Sequence, residues 1–248
     1  MSRRESKGAT PTGARSEEQA ARWVRGMFAE VAGRYDLLNH LLSFQTDRYW
    51  RRRAVRRLRP VLSRPGARVM DLCCGTGDLL MALQGEHAGA AIGCDFCHPM
   101  LTAAARKIAG RGLGSVLVEA DALSLPLRDA SLDLVTAAFG FRNLANYEKG
   151  LAELWRVLRP GGVAAILEFS QPTSALFGAL YDFYSRRILP VVGGVISGSR
   201  SAYQYLPASV SRFPDAEGLA EKMRQAGFRR VEFERMTGGI VALHAGEK

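Results

Sequence analysis

Between residues 67 and 169 the chain repeats one rhythm: a short apolar run, a turn, then a helix-patterned stretch. Strands are expected at 67–72, 90–95, 115–119, 132–138 and 163–169, with helices at 77–84, 99–110 and 147–158 between them. Parallel strands need crossovers of this kind, and such crossovers are right-handed. The rhythm therefore predicts a doubly wound, mostly parallel α/β sheet. A helix at 215–226, ended by Gly227, follows later, and then two strands, 229–236 and 239–245, separated by Thr-Gly-Gly. That spacing predicts an antiparallel C-terminal hairpin at the sheet edge.

The flanks read differently. Residues 1–20 are polar, with arginines and glutamates but no apolar signal segment, and are expected to form a flexible tail. From Glu18 to Phe44 the pattern is helical, with Trp23, Met27, Val31, Tyr35 and Leu38 recurring every three or four residues. A second helix, 47–62, should begin at Asp47 as cap and end near Pro60. The predicted organisation is a helical cap over 21–65 and a main domain over 66–248, with 170–212 inserted as a lid. That insert is rich in Tyr, Phe, Ile, Val and Gly, with Arg186, Arg187 and Arg200 interspersed. Its most apolar part, ILPVVGGVISG at 188–198, is broken by Pro190 and two glycines. It falls well short of the ~20 residues a span needs, so a cytoplasmic location is expected.

A hydrophobic fraction of 47% is ordinary, but a net charge of +10 is not. It points to an anionic partner: nucleic acid, a membrane surface or a phosphorylated ligand. Seven arginines between 48 and 59 cover the helix faces that Trp50, Ala54 and Leu58 leave free. They read either as a solvated face or as a basic amphipathic surface for anionic lipid or RNA. The four cysteines include a C-x-x-C, Cys94 and Cys97. Cys73 and Cys74 are adjacent, however, and no second C-x-x-C follows, so reduced thiols and no metal are expected.

In an open parallel sheet, ligands sit beyond the carboxyl ends of the strands. Asp71, Asp95 and Asp121 all fall at such ends. Each alone reads as a cap or turn residue; together they are more specific. Asp95 lies eighteen residues beyond Gly77, where an acid can accept both hydroxyl bonds of a ribose. Asp121 and Ala122 are placed for an adenine edge, and Gly75 and Gly77 let backbone approach a ligand closely. The turn lacks the Lys-Ser/Thr pair of a phosphate-binding loop, and Leu80 stands where a dinucleotide fingerprint wants a third glycine. Glycines, a ribose acid and carboxylates without a phosphate anchor suit S-adenosylmethionine, with Asp71 helping to organise its cationic amino end.

Several longer segments occur in order: VAGRYDLLNHLLSF, DLCCGTGDL, CDFCHPML, ADALSLPLRDASLDLVTAAFGFRNL, YEKGLAELWRVLRPGGVAAILEFS, YQYLPASVSRFPD and TGGIVALH. Over about residues 22 to 246 they resemble the ubiquinone/menaquinone biosynthesis C-methyltransferase family. The resemblance implies a class I SAM-dependent methyltransferase fold with seven strands, S-adenosylmethionine as donor and a polyprenylated quinol as acceptor. By motif, Thr76, Asp95, Asp121 and Ala122 are implied as donor contacts. Departures are Ala138, where some relatives carry a hydroxyl, Cys73 in place of a glycine, and His98 in place of a small or acidic residue.

Methylating a ring carbon needs an electron-rich acceptor. Ionising a phenol of pKa ~10 at pH 7 costs about 4 kcal/mol in water, so the site must stabilise the anion or supply a base. The FGFRNL loop brings Arg142 and Asn143 to the substrate end of the sheet. Arg142 stays protonated and so is no base. Its expected role is to stabilise phenolate or orient a water, with Asn143 positioning either; the plainer reading is an arginine bonding helix-end carbonyls. His40 and His244 read as structural, and Tyr35, Tyr203 and Tyr205 as lining the cap or packing in it. An insoluble prenyl tail adds peripheral contact with an anionic membrane, through the arginine helix and the lid. The acceptor expected is demethylmenaquinol. The alternatives are a ubiquinone-precursor quinol (2-methoxy-6-polyprenylbenzoquinol) and an RNA methyltransferase, the latter disfavoured because the N/D-P-P-Y/F stretch is missing. No nucleic acid partner is expected, and a homodimer stays open.

Overall fold

The computed structural model describes residues 7–188 and 200–248. The hydroxyl of Ser16 accepts the Gln19 N–H and starts α1 (Glu17–Val31). The helical pattern expected to run from Glu18 to Phe44 is two helices. A 3-10 turn at Ala32–Arg34, holding Gly33, redirects the chain into α2 (Tyr35–Leu42). Phe44 and Gln45 then both take positive φ, 51° and 62°, ahead of α3 (Thr46–Leu62). Asp47 is not the cap expected there; it lies buried inside the first turn. Arg51, His40 Nδ1 at 2.7 Å and the Ser43 hydroxyl at 2.8 Å all bind its carboxylate, which leaves it no capping role. α3 ends at Leu62 as expected, two residues past Pro60; Val61 and Leu62 belong to the core, which offsets the one hydrogen bond a proline removes.

The parallel frame follows the expected rhythm. β1 (Val69–Leu72) leads to α4 (Asp78–Gln84), β2 (Ile92–Asp95) to α5 (His98–Ala109), and β3 (Val116–Glu119) to β4 (Leu132–Ala138). α6 (Tyr147–Val157) then returns to β5 (Leu158–Phe169). β5 begins five residues earlier than expected because Arg-Pro-Gly-Gly is absorbed as an irregularity. Leu132 pairs with Leu158, and the register resumes at Leu134 with Val163. β1 and β4 are buried at nearly every position, as strands covered on both faces must be.

After β5 come α7 (Ala175–Phe183), a π turn over Tyr184–Ile188, α8 (Arg200–Arg212) and α9 (Ala216–Gln225). Residues 189–198 of the apolar stretch lie outside the described residues. β6 (Arg229–Met236) and β7 (Val241–Glu247) form the expected hairpin, and the sheet runs β3-β2-β1-β4-β5-β7-β6. β7 is antiparallel to both neighbours, so the second strand of the hairpin meets the parallel sheet and the first becomes the edge.

The core has two faces. One packs Trp50, Leu58 and Leu62 of α3 with Leu80 and Leu83 of α4. The other packs Leu151 and Leu154 of α6 with Leu219 and Met223 of α9. Much of the charge on α3 is used within the chain: Arg51, Arg53, Arg57 and Arg59 pair with Asp47, Glu234, Glu232 and Glu86. Nor are residues 7–20 a free tail. Ala9 donates to the Leu144 carbonyl at 2.7 Å, Tyr147 donates to the Lys7 carbonyl at 2.8 Å, and Ala9 and Pro11 are buried. Among the described residues no helix is long and apolar enough to cross a membrane.

Candidate active site

Strand order reverses between β1 and β4, and a cleft opens beyond their carboxyl ends. The turn after β1 makes its floor. Cys73, Gly75 and Gly77 all have positive φ, at 53°, 54° and 85°. At Gly75 a Cβ would meet only Tyr35 Cε1, at 4.0 Å, so bare backbone faces open space there. The turn is tied to β2 through Asp95, whose two oxygens accept the Gly75 and Cys97 N–H groups, each at 2.9 Å. Burial raises the Asp95 carboxyl, and those backbone donors oppose the shift. Asp121 stays exposed and accepts the Leu123 N–H at 2.9 Å.

Gly75, Asp95, Asp121, Ala122 and Asn143 line this cleft, and among the described residues no lysine or arginine does. Asp71, Thr76 and Gly77 do not reach it. Asp71 pairs across the sheet with Thr136, accepts that hydroxyl at 2.7 Å, and is buried beneath the turn, where desolvation pushes it up to about 7. Thr76 points the other way and donates to Asp36, which Lys107 joins to Asp78. Asp71 and Thr76 therefore brace the turn from two sides. Gly77 packs against Ala104 of α5. His98 is exposed against Glu119, outside the cleft.

A second, larger cavity adjoins the first, roofed by α1, α2, α7 and α8. Phe28, Tyr35, Phe139 and Asn143 line both and form the wall between them. The larger cavity is walled mostly by apolar and aromatic side chains, among them Trp50, Phe169, Phe177 and Tyr181. Arg142 lines it. Its Nη1 donates to Glu168 at 2.9 Å and to the Phe139 carbonyl, its Nε reaches the Ser209 hydroxyl at 3.4 Å, and its guanidinium lies 5.2 Å from the Phe169 ring. Burial alone would lower its pKa, but adjacent Glu168 leaves it above the ordinary value.

Two buried polar side chains here have no partner among the described residues: both amide atoms of Asn143 and the Tyr205 hydroxyl, which burial pushes up to about 12. Buried polar groups are nearly always satisfied, and these three atoms face the larger cavity with their hydrogen-bonding capacity unused. Glu168 was missed from sequence, although it too is an acid at the end of a strand, the signal that picked out Asp95. Neither histidine enters. His244 is buried and its Nε2 donates to the Ala216 carbonyl at 2.8 Å, while His40 is held by Asp47. The Asp47 and Asp78 carboxylates beside His40 already bind Arg51 and Lys107.

The model of the ubiE/COQ5 methyltransferase family matches residues 14–248. The chain belongs to that family. Demethylmenaquinone methyltransferase of Thermus thermophilus is 51% identical over 90% of this methyltransferase and all of that protein. The enzyme of the same name from Deinococcus radiodurans is 45% identical over 96% of this chain and 97% of that one. The ubiquinone/menaquinone biosynthesis C-methyltransferase UbiE of Geobacter sulfurreducens is 44% identical, covering 91% and 88%. A solved SAM-dependent methyltransferase from Thermotoga maritima superposes with a TM-score of 0.65 over 90% of this chain and 98% of that one. At 20% identity that likeness speaks for the fold alone. The methyltransferase thus joins a small polar-ended cleft to a large apolar cavity across one thin wall.

Proposed function

We propose that this methyltransferase methylates a ring carbon of demethylmenaquinol, with S-adenosylmethionine as donor. The observation that carries the reading is the shared wall: a carboxylate-bearing cleft meets an apolar cavity at Asn143 and Tyr35. The cleft suits the donor. Asp95 has acceptor capacity left for ribose hydroxyls, Asp121 and the Ala122 backbone flank an adenine edge, and the bare backbone at Gly75 accepts close approach. Carboxylates without a lysine or arginine favour a cationic group over a phosphate. When bound, S-adenosylmethionine supplies a methyl group activated by its sulfonium.

The chain's own residues handle the acceptor. The apolar cavity takes the prenyl tail and excludes water, which strengthens every charge interaction near the ring. Arg142 keeps its charge at all working pH values, so it stabilises the phenolate that makes the ring carbon nucleophilic. Glu168 holds that guanidinium in place. Asn143 and Tyr205 are available for the ring oxygens, which would satisfy their unpaired atoms and fix the ring against the wall. In this reading water held at Arg142 relays the phenol proton to bulk solvent; the ring carbon takes the methyl as the donor's S–methyl bond breaks, and its own proton leaves by the same route to restore the aromatic ring. Names among the relatives favour both quinone pathways, so a ubiquinone-precursor quinol is the second acceptor to test. A prenylated acceptor also implies peripheral contact with a membrane.

The deciding experiment is methyl transfer from labelled S-adenosylmethionine to reduced demethylmenaquinone and, in parallel, to a demethylated ubiquinone-type quinol, each in detergent. Transfer to the first at a higher kcat/KM supports the proposal. Preference for the second moves the enzyme to the other pathway, and transfer to neither, with donor still bound, defeats both readings.

A further inference from the structure

α7 has the sequence ALFGALYDF, with Asp182 its one charged residue, and none of its positions is buried. Leu176, Leu180 and Phe183 recur at the spacing of one helix face. Leu37, Leu41 and Phe44 repeat the same spacing along α2 and just past its end. All six are between 47% and 84% exposed. The two stripes are joined: the Tyr184 hydroxyl donates to the Leu42 carbonyl at 2.7 Å, and its ring lies 5.7 Å from that of Phe44. Phe44, Leu180 and Phe183 also line the large cavity, so the exposed stripes surround its mouth. Soluble monomers seldom leave so continuous an apolar surface uncovered.

We propose that this paired stripe is the face by which the enzyme seats itself in the acyl boundary of an anionic bilayer, opening the cavity directly to lipid. Charge complementarity selects that occupant. Arg48 lies one turn beyond Phe44, Arg52 one turn further, and Arg187 one turn beyond Phe183; all three are exposed. Arg48 and Arg52 have no ion pair among the described residues, in contrast to Arg53 and Arg57 on the side of α3 facing β6. Apolar side chains dip below the headgroups while the arginines meet lipid phosphates. The basic helix thus contributes the edge of the contact and the apolar stripes its centre. The inference rests on the quinol reading, since it supplies the reason a cavity should open into lipid.

The test is co-sedimentation of the full chain with phosphatidylcholine vesicles and with vesicles that also contain phosphatidylglycerol. Leu37→Ser/Leu41→Ser/Leu176→Ser changes only residues outside both cavities. It should weaken partitioning to the anionic vesicles by at least about tenfold. Methyl transfer to a short-prenyl quinol in detergent should stay unchanged, and transfer to a long-prenyl quinol in vesicles should fall. A separate Leu176→Trp variant should shift to bluer emission on vesicles and be quenched by brominated lipid. Unaltered partitioning of the triple variant, or an unshifted tryptophan, overturns the proposal. So does a concentration-dependent dimer that the triple variant abolishes while vesicle binding persists, which would assign the face to a second copy of the chain. Loss of quinol turnover by the unmodified enzyme in detergent defeats the acceptor assignment instead, because that assay involves no bilayer.

Discussion

Glu168 is the side chain that holds Arg142 in the wall of the larger cavity. It accepts from the Arg142 guanidinium at 2.9 Å and from the Arg142 and Phe169 backbone N–H groups at 3.2 and 2.9 Å, at 1% exposure. Glu168→Gln keeps the shape but leaves a buried cation unpaired. Such a change costs about 3–5 kcal/mol, and denaturant unfolding should show a loss of that size. Turnover should fall more than about tenfold because Arg142 loses its fixed position, while donor affinity, measured by calorimetry, should hold. Asp71 gives a pH signature. Its folded pKa is raised to about 7 from 3.8, so the native state holds its proton more tightly than the unfolded chain does. Its contribution is therefore full below pH 4 and lost as pH rises through 7. Asp71→Asn should remove that loss, which is on the order of 4 kcal/mol. Unfolding curves at pH 5 and pH 8 should converge in the variant relative to the parent enzyme.

Among the elements, the segment 7–11 matters most beyond its size. It lies against the loop that carries Arg142, Asn143, Leu144 and Ala145, and Gly8 allows the approach. A Cβ at Gly8 would stand 2.0 Å from the Ala145 carbonyl oxygen and 2.6 Å from the Asn146 nitrogen. Both are backbone atoms, which no rotamer change can relieve. Gly8→Val should peel the segment away and loosen a cleft wall, raising the donor dissociation constant about tenfold. The circular dichroism spectrum should stay that of the parent, since the sheet is untouched. The same loop illustrates how α6 is set: the Asn146 side chain accepts the Lys149 N–H at 3.0 Å and fixes where helix replaces loop.

For the whole molecule, the question is where the excess positive charge acts. α3 packs on the sheet through Trp50, Ala54 and Leu58, and Arg53 and Arg57 reach Glu234 and Glu232 on the edge strand. These pairs are exposed, so each is weak. Arg53→Gln/Arg57→Gln should lower Tm only slightly, by about 2 °C or less, and leave vesicle binding near that of the parent. A loss as large as that from the three leucine substitutions would return the arginine face to the centre of the contact.

The sequence by itself determined the alternation of strand and helix, the hairpin, and the acids at strand ends. These are local or periodic signals: apolar runs, glycine turns and caps need no distant partner to be read. Asp95, Asp121, Ala122 and Gly75 could be placed at one cleft because parallel topology sends every strand end to the same side. Tertiary structure decided what each side chain touches there. Asp71 and Thr76 share the same turn in sequence, yet strand alternation and the reach of Asp36 turn both away from the cleft. Glu168 is a lone acid in an apolar strand until the chain brings Arg142 beside it. The surface around the cavity mouth exists only because α2 and α7, more than a hundred residues apart, meet at Tyr184. Partners that distant in sequence leave no periodic trace, so packing alone determines them.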